Sequence, residues 1–513
     1  MFTTMSWSIS WAKFPSAILL VVFIVVFARI FMRNYLTPRH FARVHGCQSV
    51  AHTVNKEPFL GLDLLPTILR TRQQHKILER NCELFRSHGK TFRLQELHRR
   101  VIVTVEPENI KTVLSLNFQD YGIGHRLAAF SPLLGEGIFD TDGEQWASSR
   151  TLIRPSFNRD QIADLTSLES LFQDLLVLLP HDGETEVDLQ ELFFRYTLDA
   201  ATEFLFNQSV GSLKAIGSEP AFAQAFHYAQ KAIMKRGMLG PLNKFFPDRK
   251  ADECNHICRN FAGRFVEDAI RATEMNKQDV ENGKIQKHTK HVFSHELASR
   301  TSDPQRILDE LMNILVAGRD TTASLLSNLF FMLAKTPLIW QQLRAEVSSL
   351  EGRPPTYEQL HGLKYVKSCI SESLRLHPVV PRNERMAVRD TVLPLGGGKN
   401  GLHPVFVSKG TLVCYNLYAM HRRKDIYGPD AEEFRPERWL DGTLQPRWGY
   451  LPFNGGPRIC IGQRFALTEV EYVLVRMVQS FRVLESRDEG PWEESLALTL
   501  CSRNGTKVYL SPG

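Results

Sequence analysis

Cysteine is scarce in this sequence. Eight cysteines in 513 residues, mostly isolated among apolar neighbours, exclude a disulfide framework and favour a reducing compartment. Charge of one sign is scarce as well. A net charge of +6 is too mild to argue for a nucleic-acid partner, and any basic patch would have to be local. No internal repeat and no low-complexity linker divides residues 50–513. The glycine run GGGKNG at Gly396–Gly401 lacks the spacing and the Lys-Ser/Thr ending of a phosphate loop. It reads as a hairpin turn between RMAVRDTVLPL and VFVSKGTLVCYNL. CNHIC (Cys254–Cys258) and HTKHVFSH (His288–His295) have spacings a metal would accept, but neither has a second ligand pair at zinc-like spacing. The first fits a helix face and the second a polar loop.

Long apolar runs are nearly absent too, with one exception. FPSAILLVVFIVVFARIFM, from Phe14 to Met32, is interrupted only by Arg29, which can snorkel to an interface. Lys13 precedes it, whereas Arg29, Arg33, Arg39 and Arg43 crowd the far side. A cleaved signal peptide would have a shorter apolar core and a small-x-small cleavage site. The run therefore predicts an uncleaved anchor over residues 1–37, spanning at about 14–32. The positive-inside rule then puts the rest of the chain in the cytosol.

Helical periodicity dominates the remainder of the chain. LTSLESLFQDLLVLLP (Leu165–Pro180) and VDLQELFFRYTLDAATEFLF (Val187–Phe206) repeat apolar residues every three or four positions. Asp303–Lys335 predicts a helix of roughly thirty residues, about 45 Å long and able to cross a whole domain. Strand patterns are few, RRVIVTV (Arg99–Val105) and the pair around the glycine run. The expectation is one domain over 38–513, mainly α with a minor β region.

One cysteine stands apart. FNGGPRICIGQRFA (Phe453–Ala466) sets Cys460 among Gly455, Gly456 and Gly462, with Arg458 two residues upstream and an amphipathic helix pattern after it. A thiolate is a strong ligand and a thiol a poor one, so such a site must favour the anion. A helix N-terminus supplies backbone N–H groups for that purpose. The glycines would let the backbone approach a flat cofactor, and Arg458 would suit a carboxylate on it.

The pattern F-x-x-G-x-R-x-C-x-G, from Phe453 to Gly462, closely resembles the heme-binding signature of the cytochrome P-450 heme-thiolate monooxygenases. ESLR (Glu372–Arg375) resembles the family's E-x-x-R motif, and FRPERW (Phe434–Trp439) its P-E-R element. WASSR (Trp146–Arg150) resembles the W-x-x-x-R of the helix beside the heme edge, and AGRDTT (Ala317–Thr322) the oxygen-activation motif. The resemblance implies the P-450 fold, with heme b held through Cys460 as the iron's axial ligand. Arg458, Trp146, Arg150 and Arg382 would serve the propionates, and Phe453 would belong to the same cofactor-binding loop. It implies a buried ion-pair network of Glu372, Arg375 and Arg438, and a proton relay through Asp320 and Thr321. It also implies electrons from NADPH delivered by a separate NADPH–cytochrome reductase, a lipophilic substrate, dioxygen, and a place on the endoplasmic reticulum membrane. Nucleic acid has no part in it. ELFFRYTLDAATEFLF, VAGRDTTA and LGGGKNGLHPVFVSKG most resemble the fungal alkane and fatty-acid hydroxylases, a pattern that fungal secondary-metabolite enzymes share. Two rivals stand beside the monooxygenase: an oxygen-independent isomerase or dehydratase of the same fold, and a heme-binding protein without turnover.

Overall fold

The computed structural model describes residues 37–57, 60–96, 99–215, 221–281 and 292–513. The predicted span at 14–32 and His288 lie outside them. Among the described residues no single helix is long and apolar enough to cross a membrane.

Nine helices matter here: α1 (Arg126–Leu134), α2 (Gly143–Ile153), α3 (Thr166–Val177), α4 (Leu189–Phe206), α5 (Ala221–Leu239), α6 (Arg249–Glu281), α7 (Pro304–Ala334), α8 (Lys364–Leu376) and α9 (Gln463–Ser480). Seven strands accompany them: β1 (Thr91–Glu96), β2 (Arg99–Thr104), β3 (Tyr121–Gly122), β4 (Arg382–Ala387), β5 (Thr391–Gly397), β6 (His403–Val407) and β7 (Leu412–Asn416). β1, β2, β7, β4 and β3 form one sheet in that order, with β2 and β7 parallel and the other pairs antiparallel. β5 and β6 form the hairpin expected around the glycine run, closed by the Gly396 N–H donating to the Gly401 carbonyl at 2.7 Å.

α7 is the axis of the molecule. Asp303 caps it by accepting from the N–H groups of Gln305 and Arg306, and Pro304 occupies its first turn, where a missing N–H costs nothing. It is buried nearly all round, as a helix crossing a domain must be. Its C-terminal half joins α3, α4, α8 and α9 in one hydrophobic core, and its N-terminal half joins α4, α5 and α6 in a second. Cys254 and Cys258, one turn apart on α6, are buried in that second core.

α7 also fastens the loop between α1 and α2. Asp309 accepts from the Glu136 N–H at 2.9 Å, Glu310 from Ile138 at 3.0 Å and Asn313 from Phe139 at 2.9 Å. Gly135 must be glycine for this fit. Its φ is +71°, and a Cβ there would sit 1.9 Å from the Asp309 carboxylate.

Glu372, Arg375 and Arg438 lie together in one buried network. The Arg375 guanidinium donates from Nε and Nη2 to Glu372 at 2.8 Å each, and to the carbonyls of His421, Ala431 and Glu433 at 2.9, 2.6 and 2.9 Å. All five of its N–H groups thus have acceptors. Glu372 also accepts from Arg438 Nε at 2.8 Å, Trp439 Nε1 at 2.9 Å and the Arg435 N–H at 2.9 Å. Burial works to raise the Glu372 pKa, but Arg375 and the other donors outweigh it and hold the carboxyl below its ordinary range. The network joins α8 to the segment that leads into the Cys460 loop.

Candidate active site

Cys460 lies three residues before α9 begins. Of the eight cysteines only Cys460 is exposed. Burial raises the thiol's pKa, while the Gly462 N–H and the Arg150 guanidinium favour the thiolate. The loop is held by the Cys460 N–H donating to the Phe453 carbonyl at 3.0 Å, and by Tyr415 on β7 donating to the Asn454 side chain at 3.1 Å. Phe453 packs against the first core. Gly455 and Gly456 are pressed against protein. A Cβ on Gly456 would stand 1.8 Å from the Leu114 carbonyl, and one on Gly455 would stand 2.8 Å from the Trp448 ring.

Guanidiniums converge beside this loop. Arg458 lies 4.5 Å from the centre of the Trp146 ring and Arg150 5.9 Å from it, both within cation–π reach. Arg150 donates to the Ile459 carbonyl at 3.0 Å, and Arg458 to Thr141 and Asp142 at 2.8 and 2.6 Å. Two further arginines join them, Arg126 on α1 and the buried Arg385 on β4. Both donate to the Asn383 side chain, at 3.2 and 3.3 Å. Burial, with repulsion from Arg385, brings Arg126 down to about 10. Burial, with repulsion from Arg385, Arg126 and Arg150, does the same to Arg458 despite its pairing with Asp142. Cations that repel one another this strongly in a buried place fit a ligand with more than one carboxylate.

Arg382 is not brought into this group. Strand side chains alternate, so Arg382 and Glu384 share one face of β4 while Asn383 and Arg385 share the other. Arg382 instead lies 3.7 Å from both Glu96 and Glu384 and beside Cys414. Sequence reading missed Arg385 and Arg126. Alternation puts Arg382 and Arg385 on opposite faces of β4 without saying which face meets the loop, and no motif marks Arg126.

α7 has an opening of its own. From Leu311 to Phe330 every residue is buried except Ala317, Gly318 and Thr321, so the helix opens on one face only. The Thr321 hydroxyl donates to the Ala317 carbonyl at 2.6 Å. Asp320 points elsewhere. It is buried, its carboxylate accepts from Arg319 at 3.0 Å, and Arg319 in turn lies 5.1 Å from the Phe194 ring centre. Burial raises the Asp320 pKa and Arg319 opposes that shift.

A lone accessible thiol, an indole and four crowded guanidiniums are a donor set suited to an iron macrocycle bearing two carboxylates. The comparisons with known proteins agree. The family model described as cytochrome P450 matches residues 58–507. The chain is 47% identical over 494 residues to cytochrome P450 monooxygenase himC of Aspergillus japonicus, covering 96% of this chain and 88% of that protein. It is 45% identical over 487 residues to cytochrome P450 monooxygenase fsdH of Fusarium heterosporum, covering 93% and 86%. It is 40% identical over 472 residues to cytochrome P450 52A5 of Candida maltosa, covering 87% and 88%. The chain belongs to the cytochrome P450 family. It is a heme-thiolate monooxygenase, with heme b as its prosthetic group and electrons derived from a nicotinamide cofactor through a reductase.

Proposed function

We propose that this monooxygenase places one oxygen atom near the alkyl terminus of a long or bulky lipophilic substrate. One observation carries the site assignment: arginines gather at the loop of the exposed Cys460, and from Leu311 to Phe330 α7 is opened only at Ala317, Gly318 and Thr321. Cys460 would bind the iron of the prosthetic group through its thiolate. Arg126, Arg150, Arg385, Arg458 and Trp146 would hold its carboxylates. When bound, the heme supplies the iron at which dioxygen is reduced with two electrons. Thr321, on the open face of α7, holds the last proton of the relay at its hydroxyl. Asp320 brings protons inward when its pair with Arg319 opens. A relay of this kind has no use in an isomerase, which favours the monooxygenase over its same-fold rival.

Apolar side chains at Phe130, Leu133, Val379 and Val380 motivate the substrate class. Leu133 is fully buried in the second core, which leaves the half-buried Phe130 and Val380 as the better contacts. The resemblance to fungal alkane and fatty-acid hydroxylases supports terminal attack. The pattern shared with fungal secondary-metabolite enzymes supports a second reading, in which the substrate is a lipophilic pathway intermediate.

The domain of residues 38–513 sits on the cytosolic face of the endoplasmic reticulum membrane, where a membrane-bound NADPH–cytochrome reductase docks on the cysteine side. The apolar segment at 14–32 supports the anchor. The exposed Phe245, Phe246, Leu62 and Leu69 support a further apolar contact with the bilayer. Incubation with reductase, NADPH and a series of long-chain fatty acids and alkanes tests the substrate reading. Terminal hydroxylation is the expected product. Absence of both product and substrate-induced spectral shift across the series would move the assignment to a pathway intermediate.

A further inference from the structure

Phe139, in the loop between α1 and α2, is held from two directions. Its N–H donates to Asn313 Oδ1 on α7 at 2.9 Å, and its carbonyl accepts from Arg126 Nη1 at 3.3 Å. Its ring centre lies 4.9 Å from the Arg126 guanidinium and 5.6 Å from that of Phe130. Asn313 is 1% exposed, and both ends of its amide are bonded. Its Nδ2 donates to the Leu134 carbonyl at 3.1 Å and back to the Asp309 carbonyl at 2.7 Å. Leu134 is the last residue of α1 and Arg126 the first. The contacts therefore close a circuit. It runs from Asn313 to Leu134, along α1 to Arg126, across to Phe139, and back to Asn313. The fit is tight, since a Cβ on Gly137 would stand 2.3 Å from Asn313 Nδ2.

We propose that Asn313 is a positioning residue for the prosthetic group: by holding Leu134 and Phe139 together it sets where the Arg126 guanidinium stands, and so how firmly Arg126 grips a heme carboxylate. The inference rests on the placement of Arg126 at those carboxylates. Helix chemistry does not call for asparagine at this point. Its amide competes for backbone groups in a helix interior, and its neighbours Met312 and Ile314 belong to the second core. A buried amide is tolerated there only because each end has a partner. Arg126, by contrast, needs outside help. It is half-buried, and Arg385, which shares the Asn383 acceptor with it, repels it. The Phe139 carbonyl and ring oppose that repulsion, and Asp309 and Glu310 hold only the neighbouring N–H groups of Glu136 and Ile138. Among the described residues the other N–H groups of Arg126 have no acceptor, which leaves them to a carboxylate. A long side chain fixed before its ligand arrives loses less freedom on gripping it.

The test uses full-length, heme-loaded protein and the rate of heme transfer to an excess of a heme-scavenging apoprotein. Asn313→Ala should speed transfer about three- to tenfold and Arg126→Gln about tenfold, while the double variant should be no faster than Arg126→Gln alone. Asn313→Ser guards against a folding failure. Its hydroxyl can bond the Asp309 carbonyl, as Thr321 bonds Ala317, but is too short to serve the loop, so transfer should again quicken. Asn328, equally buried on α7 and bonded to Leu500 and Trp492, is the control for general loosening. Any effect of Asn328→Ala should multiply with that of Arg126→Gln. The propionate-bending bands of the resonance Raman spectrum should move in Asn313→Ala as they do in Arg126→Gln, and stay in place in Asn328→Ala. Multiplying effects of Asn313→Ala and Arg126→Gln, wild-type transfer in both Asn313 variants, unmoved propionate bands, or the same masking with Asn328→Ala would overturn the inference. Wild-type transfer in Arg126→Gln would instead overturn the placement of Arg126 itself, so the two failures are distinguishable.

Discussion

Replacing Arg385 by glutamine should loosen the prosthetic group, whereas the same change at Arg382 should not. Arg385 is 4% exposed, and among the described residues only its Nη1 has acceptors, the Asn383 side chain at 3.3 Å and the Glu384 carbonyl at 2.8 Å. The rest of its guanidinium is available to a carboxylate. A hydrogen bond to a charged group contributes about 1.5–3 kcal/mol, so its loss corresponds to roughly ten- to hundredfold faster heme release. Arg382 has 38% of its side chain exposed and two carboxylates at 3.7 Å on the other face of the strand. Solvent screening holds such pairs to about 1 kcal/mol or less, and neither carboxylate pairs with the arginines beside the Cys460 loop. The assay is the rate of heme transfer from each holoprotein to an excess of a heme-scavenging apoprotein, followed by absorbance. Equal rates for the two variants, or faster loss from Arg382→Gln, would refute the reasoning from strand alternation.

Further outcomes are expected. Thr321→Ala should keep NADPH consumption while diverting it to released hydrogen peroxide. Asp320→Asn should slow turnover more than it diverts it, with losses of about ten- to a hundredfold, measured as NADPH, peroxide and product together. Glu372→Gln should destabilise the fold by about 3–5 kcal/mol, because two buried guanidiniums lose their counter-charge. Since the Glu372 pKa is depressed in the folded state, that difference should be full above about pH 4.5 and shrink as pH falls through the folded value, measured by denaturant unfolding across pH. Gly456→Ala should prevent most heme incorporation, because its Cβ would overlap the Leu114 carbonyl. Gly442→Ala, at φ +72° with nothing within 4 Å, should cost only backbone strain and keep its heme.

Much of this site was legible from residue order because its chemistry is local. The Cys460 loop, the Glu372–Arg375 turn and the Trp146–Arg150 turn each place their groups within one turn of chain. Periodicity alone was enough to find α7. What escaped depended on pairing between distant segments. The β4–β7 register decides that Arg385 and not Arg382 faces the loop, and nothing in RLHPVVPRNER states that register. Arg126 reaches the cluster only because Asp309, Glu310 and Asn313 fasten the loop after α1 to α7, a contact between segments more than 170 residues apart. RMAVRDTVLPL read as one strand, yet the chain turns at 388–390 to send β4 and β5 into different sheets. The Asp320–Arg319 pair was hidden for another reason. Neighbours in sequence along a helix usually diverge, yet Arg319 turns to Asp320 with its guanidinium lying over the Phe194 and Phe226 rings.

The central claim is that the Cys460 sulfur is the iron's axial ligand. The carbon-monoxide difference spectrum of the reduced protein tests it most directly, comparing wild type with Cys460→Ala. The account predicts a strongly red-shifted Soret band in wild type and none in the variant, even where the variant keeps some heme. The same red-shifted band in Cys460→Ala would contradict it.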